Sequence, residues 1–175
     1  MNDFIEQPVS GDKLILRQLQ QGDGAALHSL IATCPPLDLN SCYSYLLLCL
    51  HHAKTSVVAE IDGVLVGAVT GYIPPGQPDS LFIWQVAVAP QLRGQGLARL
   101  MLEYLRRTCI SENKLLWIET TISPSNTASH HLFTSFTLQH DVGCAITTLF
   151  PAEMFGESGH EEEKLYRIGP WDRSR

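Results

Sequence analysis

The sequence predicts a single α/β domain over residues 1–175, in which helices flank a mixed sheet. Hydrophobic residues make up 45% of the chain and charged residues 17%, a balance that is typical of a chain able to bury a full core. Segments rich in β-branched residues alternate with segments of helical periodicity, and an Asp-Gly pair marks a hairpin. Hairpins combined with strand–helix–strand units indicate a sheet with both parallel and antiparallel pairs.

The first third of the chain predicts one strand and two helices. Strand composition at 13–17 precedes an apolar-periodic stretch at 25–31, and the predicted helix ends at a Pro-Pro pair. Candidate N-cap residues at 38–41 open a second helix, which extends to about His52.

A hairpin and a central strand follow. Two β-branched segments, 55–61 and 64–73, flank Asp62-Gly63, which is a strong hairpin turn pair. The segment 81–88 is nearly all apolar, so we expect a central strand that is buried on both faces.

The second half of the chain alternates between helical and strand patterns. After Ala89-Pro90 the apolar period becomes 3.6 residues, which predicts a helix. One face of this helix carries the apolar residues Leu97, Leu100, Met101, Tyr104 and Leu105. The remaining predictions are a strand at 115–121, a helix at 126–136, strands at 145–150 and 164–168, and a loop at 154–163.

The charge of the chain argues against one class of function. The formal net charge is −6, and no stripe of Lys and Arg is present to neutralise the phosphates of a nucleic acid. An acidic protein attracts cationic substrates more readily. We therefore expect a small cationic substrate rather than a nucleic acid.

Cysteine and N-terminal patterns predict a cytoplasmic protein without a membrane anchor. The five cysteines form no CxxC pair, which is typical of reduced thiols. The N-terminus has neither the basic start nor the apolar run of a signal peptide, and the apolar run 45–50 is far shorter than the roughly 20 residues that span a bilayer. His51-His52 and His130-His131 lack carboxylate or cysteine partners at ligand spacing, so we expect no metal.

The motif that indicates chemistry is Gln91-x-x-Gly94-x-Gly96, between the central strand and the helix after it. Unpaired N–H groups and aligned peptide dipoles at a helix N-terminus favour an anion such as pyrophosphate. The glycines let a phosphate approach the backbone, and Arg93 adds a cation. Neither GxGxxG nor GxxxxGK[ST] occurs here. The alternative is a glycine turn without a ligand.

This motif resembles the acetyl-CoA pyrophosphate loop of the GCN5-related N-acetyltransferases, the GNAT family. The resemblance implies the GNAT fold, with a mostly antiparallel central sheet flanked by helices, and acetyl-CoA as co-substrate. It implies that the cofactor-binding residues are Val86, Val88, Arg93, Gly94, Gln95, Gly96, Leu97, Ala98 and Asn126. Backbone N–H groups of the 86–88 segment would stabilise the oxyanion, and Asn126 would contact the pantetheine arm. The alternatives are plain strand pairing at 86–88 and an N-cap role for Asn126.

One position departs from the family pattern. GNAT proteins often carry a tyrosine seven residues after this asparagine, as the acid for the departing thiolate. Here that residue is Phe133, which has no proton to donate.

Longer strings are similar to the L-2,4-diaminobutyrate acetyltransferase family of ectoine biosynthesis. They include residues 35–41, 82–88, 117–122 and 160–163, and the similarity covers roughly 13–170. The resemblance implies transfer of acetyl from acetyl-CoA to the 4-amino group of L-2,4-diaminobutyrate, in a homodimer. Open alternatives are another small amine as the acetyl acceptor, or a non-catalytic acetyl-CoA-binding regulator, which Phe133 leaves open.

The acceptor amine is mostly protonated at neutral pH, so a base is needed. Glu119 is the candidate, because it ends a strand beside the expected acetyl position and shares a face with Trp117 and Thr121. The alternatives are that Glu119 binds the ammonium group or is simply exposed.

The remaining site residues rest mainly on the resemblance. Asp38, Trp84, Glu161 and Glu162 are expected to bind substrate, and His160 and Tyr43 to take part in proton transfer. From the residues alone, Asp38 equally suits a helix cap, Trp84 a core position, and the acidic run a solvated loop.

Overall fold

The computed structural model describes residues 4–6, 13–111 and 115–171. The strands are β1 (Phe4–Glu6), β2 (Leu14–Gln18), β3 (Val57–Ile61), β4 (Val64–Tyr72), β5 (Ser80–Val88), β6 (Trp117–Ile122), β7 (Cys144–Phe150) and β8 (Glu163–Ile168). The helices are α1 (Gly24–Ala32), α2 (Cys42–His51), α3 (Leu97–Leu105) and α4 (Thr127–His140).

The strands form one eight-stranded mixed sheet in the order β1-β2-β3-β4-β5-β6-β8-β7. β5 and β6 are parallel, and α3 makes the crossover between them, while the other neighbouring pairs are antiparallel. The predicted fold class, a mostly antiparallel mixed sheet flanked by helices, is therefore confirmed.

Helices cover both faces of the sheet around β4. Tyr45 of α2 bonds to Gln85, which pairs with Thr70 of β4. A Cβ atom built on Gly67 of β4 would lie 2.9 Å from Met101 of α3. Positions 67 and 70 face opposite sides of a strand, so α2 and α3 lie on opposite faces. The absent side chain at position 67 lets α3 pack closely on the sheet.

Each helix buries one apolar side. α1 buries Leu27, Leu30 and Ile31, and α4 buries Phe133 and Phe136. Burying one such side chain contributes roughly 1.5–3 kcal/mol to stability. These side chains form a continuous core on the two sides of the sheet.

Three predictions need correction beyond shifts of one or two residues, and the first is β1 (Phe4–Glu6), a strand that the sequence does not predict. The segment 154–163, expected to be a loop, begins within a 3-10 helical segment at Ala152–Ser158, which is interrupted at Gly156, where φ is +62°. The helix expected at 126–136 extends to His140, because Phe136 and Thr137 continue its buried side. In the part of the chain that the structure describes, no helix combines the length and apolarity needed to cross a membrane.

Candidate active site

The site begins where β5 and β6 diverge. Their parallel pairing joins Ser80–Ile83 to Trp117–Thr120 and stops there. From residue 84 onward β5 continues along β4. A wedge-shaped opening therefore separates the carboxyl halves of two adjacent strands.

A β-bulge lies at the same point of β5. Thr70 pairs with Gln85 but Gly71 pairs with Ile83, so Trp84 is the extra residue. Bulges bend a strand, redirect its side chains and often lie beside active sites. Trp84 is 44% exposed as a result, which corrects the expectation that this strand is buried on both faces.

The bulge determines which backbone groups of β5 face the opening. The Gln85 N–H donates to the hydroxyl of Thr70 at 3.1 Å, and the Ala89 N–H donates to a β4 carbonyl at 2.9 Å. Because N–H groups alternate in direction along a strand, those of Val86 and Val88 point away from β4, into the opening. Their geometry suits stabilisation of an oxyanion.

The glycine motif forms the loop that leads into α3. Gly94 and Gly96 have φ of +75° and +82°, a conformation that favours glycine, and a Cβ built on either meets no atom within 4 Å. In α3, Leu100 donates to the Gly96 carbonyl at 3.1 Å, so the N–H groups of 97–99 precede this bond. An open loop followed by these N–H groups at the start of a helix fits a pyrophosphate. The exposed Arg93, whose Nε donates to the Val88 carbonyl at 3.2 Å, is the nearby cation.

The N-terminus of α4 borders the other side of the opening. Asn126 is the N-cap of this helix, since its Oδ1 accepts the Ser129 N–H at 3.0 Å. The Ser125 N–H donates to the Glu161 carboxylate at 2.9 Å, and this bond lowers the pKa of Glu161. The capping alternative for Asn126 is therefore correct, and its amide nitrogen is left for the predicted pantetheine contact. Glu161 lies at the carboxyl end of β6.

A cleft of about 490 Å³ lies between α2 and the bulge. Its walls are aromatic, apolar and imidazole side chains, together with one serine and one glycine: Ser44, Leu47, Leu48, His51, His52, Gly71, Tyr72 and Trp84. Burial, assisted by the neighbouring His51, lowers the pKa of His52 below the ordinary value for an imidazole. The cleft has the size and the lining of a small-molecule site.

Asp38 and Tyr43 lie beside this cleft. The N-cap of α2 is Ser41, so Asp38 does not cap the helix. The Asp38 carbonyl accepts a hydrogen bond from Gln85 Nε2 at 2.8 Å, which holds the 36–41 loop next to the bulge. Tyr43 is 68% exposed and lies one helical turn before Leu47 of the cleft wall. The structure thus brings Asp38, Tyr43 and Trp84 to one region.

Glu119 is buried one residue before the β5–β6 pairing ends, where it pairs with Phe82. Its carboxylate lies 2.8 Å from the guanidinium of Arg167. With its amide nitrogen turned to the carboxylate, Gln77 donates to both oxygens at 2.9 and 3.1 Å. Burial raises the pKa of Glu119, against the opposing effect of Arg167, and Asp79 raises it further. The alternative of an exposed strand end is wrong, because the side chain is 3% exposed.

His160 and Glu162 lie in the segment that leads into β8. The His160 ring stacks on Phe155 at 4.1 Å, and its Nδ1 lies 2.7 Å from the Glu161 carbonyl oxygen. Glu162 accepts from the hydroxyl of Thr148 at 3.2 Å and lies 3.3 Å from the ammonium of Lys164. Among the described residues, neither His160 nor Glu162 lines the cleft.

Phe133, at the position of the absent tyrosine, is 1% exposed and packs in the core under α4. The described residues contain no group of three or more His, Cys, Asp or Glu side chains that could hold a metal ion.

Four polar residues that support the site are not predicted from the sequence: Thr70, Gln77, Gln85 and Arg167. The one signal available was Gln85, a polar residue in an otherwise apolar strand that must find hydrogen-bond partners when buried. The other three depend on strand register and on the path of the loop after β4, which no local pattern reveals.

Comparison with known proteins agrees with this geometry. The profile of the acetyltransferase (GNAT) family matches residues 24–137, from α1 into α4. The chain belongs to the acetyltransferase (GNAT) family. This GNAT protein is 43% identical over 170 residues to the L-2,4-diaminobutyric acid acetyltransferase of Bordetella parapertussis, covering 95% of this chain and 90% of the relative. Its identity to the Streptomyces coelicolor protein of the same name is 48% over 149 residues, covering 85% and 88%.

Solved GNAT structures show the same architecture. The diaminobutyrate acetyltransferase EctA from Paenibacillus lautus, in complex with its substrate L-2,4-diaminobutyric acid and coenzyme A, is 38% identical with a TM-score of 0.86. The match covers 91% of this chain and 96% of the EctA chain. The ribosomal-protein-S18-alanine N-acetyltransferase of Escherichia coli, at 16% identity and a TM-score of 0.68 over 90% of this chain and 93% of that chain, shares the fold. The predicted family is confirmed.

Proposed function

We propose that this GNAT protein transfers the acetyl group of acetyl-CoA to the 4-amino group of L-2,4-diaminobutyrate, in the pathway that leads to ectoine. The neutral 4-amino nitrogen attacks the thioester carbonyl, a C–N bond forms and the C–S bond breaks, and the nitrogen loses one proton while the departing thiolate gains one. The products are N4-acetyl-L-2,4-diaminobutyrate and coenzyme A. Attack is direct, within a ternary complex, so no covalent enzyme intermediate forms.

The observation that carries this proposal is the opening between β5 and β6, with a glycine loop on one side and a cleft on the other. The thioester lies along the opening, with its pyrophosphate at the 93–98 loop and its pantetheine arm beside Asn126. The N–H groups of Val86 and Val88 then face the carbonyl that becomes an oxyanion, which supports acyl transfer at this point.

The cleft beside Trp84 receives the diamine. Its aromatic walls suit the short methylene chain and a cation near the ring faces. Asp38 supplies a carboxylate for one ammonium group. Glu161, at the carboxyl end of β6, supplies a second negative charge near the mouth of the opening, and Glu162 contributes to the same acidic segment.

Glu119 accepts a proton from the 4-ammonium group through water, and this leaves the neutral amine that attacks. Its raised pKa makes it a better base than an ordinary carboxylate, and its position next to the end of the β5–β6 pairing supports this role. Arg167 and Gln77 hold the carboxylate in one orientation.

Tyr43 protonates the departing thiolate, because Phe133 has no proton to give. Its hydroxyl is exposed beside the cleft, which supports this role. His160 is the second donor, held by its stacking on Phe155. A thiol of unperturbed pKa about 8.5 needs little assistance to leave, so the acid makes a modest contribution to the rate.

The protein works as a homodimer in the cytoplasm. β7 is one of the two edge strands of the described sheet, and all seven of its residues are exposed, including Ile146, Leu149 and Phe150. Apolar edge strands are normally covered. A second copy of the chain is the occupant proposed here.

One assay tests the activity. Purified protein and acetyl-CoA are incubated with L-2,4-diaminobutyrate, ornithine, lysine or a polyamine, and thiol release is followed. We expect preference for L-2,4-diaminobutyrate and a product acetylated at the 4-amino group by NMR. Preference for another amine would identify that amine as the substrate. Binding of acetyl-CoA without turnover on any amine would indicate a regulator.

A further inference from the structure

Gln85 is a buried polar residue between the bulge of β5 and the loop before α2. The residue is 4% exposed, and both ends of its side-chain amide are bonded. Its Nε2 donates to the Asp38 carbonyl at 2.8 Å, and its Oε1 accepts from the Tyr45 hydroxyl at 3.3 Å. A buried amide bonded at both ends fixes the relative position of the groups that it joins.

The same residue is anchored through its backbone. The Gln85 N–H donates to the hydroxyl of Thr70 at 3.1 Å, and Thr70 is fully buried in β4. This side-chain acceptor stands in for a ladder bond at the point where Trp84 forms the bulge. The Gln85 backbone is therefore held at the bulge by a bond that does not involve the Gln85 side chain.

The network continues to the start of α2. The Tyr45 hydroxyl, which donates to Gln85, also accepts the Asn40 N–H at 3.3 Å, and Tyr45 is fully buried. The 38–40 segment is thus held at a carbonyl and at an N–H, and both bonds lead back to one amide side chain in β5. The side chain of Asp38 remains exposed to solvent.

We infer that Gln85 is a positioning residue for the diamine, which is the acetyl acceptor. Gln85 holds the 36–41 loop, and with it the Asp38 carboxylate, against Trp84 and the cleft. Asp38 and Trp84 lie on different elements and are both proposed to bind the diamine. They keep a fixed separation because the buried Gln85 amide joins the 36–41 loop to β5 next to Trp84. The glycine loop at 93–98 takes no part in this network, so acetyl-CoA binding is independent of it. This inference rests on the proposed diamine function of the cleft.

Gln85→Leu tests the inference. It removes both side-chain bonds at similar volume, and we expect the KM for L-2,4-diaminobutyrate to rise about tenfold, as loss of a buried bond to a backbone group predicts. The Kd for acetyl-CoA should stay within about twofold, since no contact to the loop is lost. Gln85→Glu keeps the acceptor for Tyr45 but removes the donor to Asp38, so it should raise the same KM.

Tyr45→Phe is the second variant, because Gln85→Leu also costs stability. It removes one hydroxyl, leaves Gln85 bonded to Asp38, and should raise the diamine KM less than Gln85→Leu does. The matched control is Thr137→Val in α4, which removes a buried hydroxyl that donates to the Phe133 carbonyl at 2.8 Å. Thr137→Val should lower the melting temperature without changing the diamine KM.

Hydrogen–deuterium exchange gives a readout that does not depend on turnover. In Gln85→Leu, amides of the 36–41 loop should exchange faster while those of 93–98 do not change. If the wild type acetylates no diamine but the loop of Gln85→Leu loses protection, the proposed function fails, and Gln85 still holds the 36–41 loop but positions no diamine-binding group. Unchanged loop protection, or equal weakening of both substrates in Gln85→Leu and Gln85→Glu, would overturn the inference.

Discussion

The carboxylate of Glu119 and the guanidinium of Arg167 are 2.8 Å apart on neighbouring strands, and only the guanidinium side chain reaches solvent, with 34% exposure against 3%. Arg167 also lies over the Trp117 ring, with its Cζ 4.4 Å from the centroid. Glu119 is thus a buried base candidate, and its counter-ion Arg167 is held in place by a cation–π contact with Trp117.

Glu119→Gln should lower kcat by about 10²-fold or more, because general-base assistance is lost while the shape of the side chain is kept. In the wild type, burial raises the pKa of Glu119, so the acidic limb of the kcat–pH profile should lie above the pH at which an ordinary carboxyl titrates. That limb should vanish in the variant.

The matched control for Glu119→Gln is Glu103→Gln in α3. Glu103 is a part-buried carboxylate that is likewise paired with arginine, bonded by Arg106 at 2.7 and 2.9 Å and by Arg107 at 2.9 Å. Its substitution should reduce stability but keep the acidic limb. An unchanged limb in Glu119→Gln would remove Glu119 as the base and leave it as a partner for Arg167.

Gly96→Val should weaken acetyl-CoA binding by more than about tenfold, since a side chain would enter the space where the pyrophosphate approaches the backbone. The φ of +82° adds strain of about 1–2 kcal/mol for a residue with a Cβ. Isothermal titration calorimetry measures the affinity and a thermal melt measures the strain.

Gly63→Val is the control for that strain, because Gly63 has φ +80° in the β3–β4 turn and also faces open space. It should lower the melting temperature to a similar degree and leave the affinity for acetyl-CoA unchanged. Equal affinities in the two variants would mean that the loop at Gly96 does not bind the co-substrate.

Tyr43→Phe should reduce kcat by about tenfold with little change in the KM for acetyl-CoA, because the hydroxyl is proposed to act only on the thiolate. The residue is 68% exposed, so the melting temperature should not change. Steady-state kinetics with both substrates varied separates the two parameters. A wild-type kcat in this variant would leave His160 as the proton donor.

Ile146→Glu should convert a dimer to a monomer, since it places a charge in the centre of the exposed apolar strand β7. Size-exclusion chromatography with light scattering measures the mass. Leu138→Glu is the comparison, because Leu138 is an apolar residue that is 76% exposed but belongs to α4 rather than to the edge strand. A dimer that survives Ile146→Glu would place the interface elsewhere.

Much of this architecture was predictable from local patterns. The hairpin at Asp62-Gly63, the strand at 81–88 and the helix after Gly96 all lie where periodicity and turn residues place them. These elements are determined by neighbours in sequence, so local patterns are sufficient to predict them.

The remaining features depend on contacts between distant residues. The bulge at Trp84 results from register against β4, and the Glu119–Arg167 pair joins β6 to β8. No local pattern predicts such a pairing, because it depends on which strands become neighbours. The site residues Asp38 and His160 came from family resemblance, and their own sequence context favoured a cap and a solvated loop.

The short parallel pairing of β5 with β6 has a mechanical consequence. Four residue pairs, from Ser80–Trp117 to Ile83–Thr120, join strands β1–β5 to strands β6, β8 and β7. The two parts of the sheet therefore diverge from these four pairs. The angle between these two parts, and hence the width of the opening between β5 and β6, depends on the volume of the side chains at the four pairs. Substitutions of fully buried Ile83 or Ile118, which touch neither substrate in the arrangement proposed here, therefore change catalysis by altering the aperture rather than the chemistry.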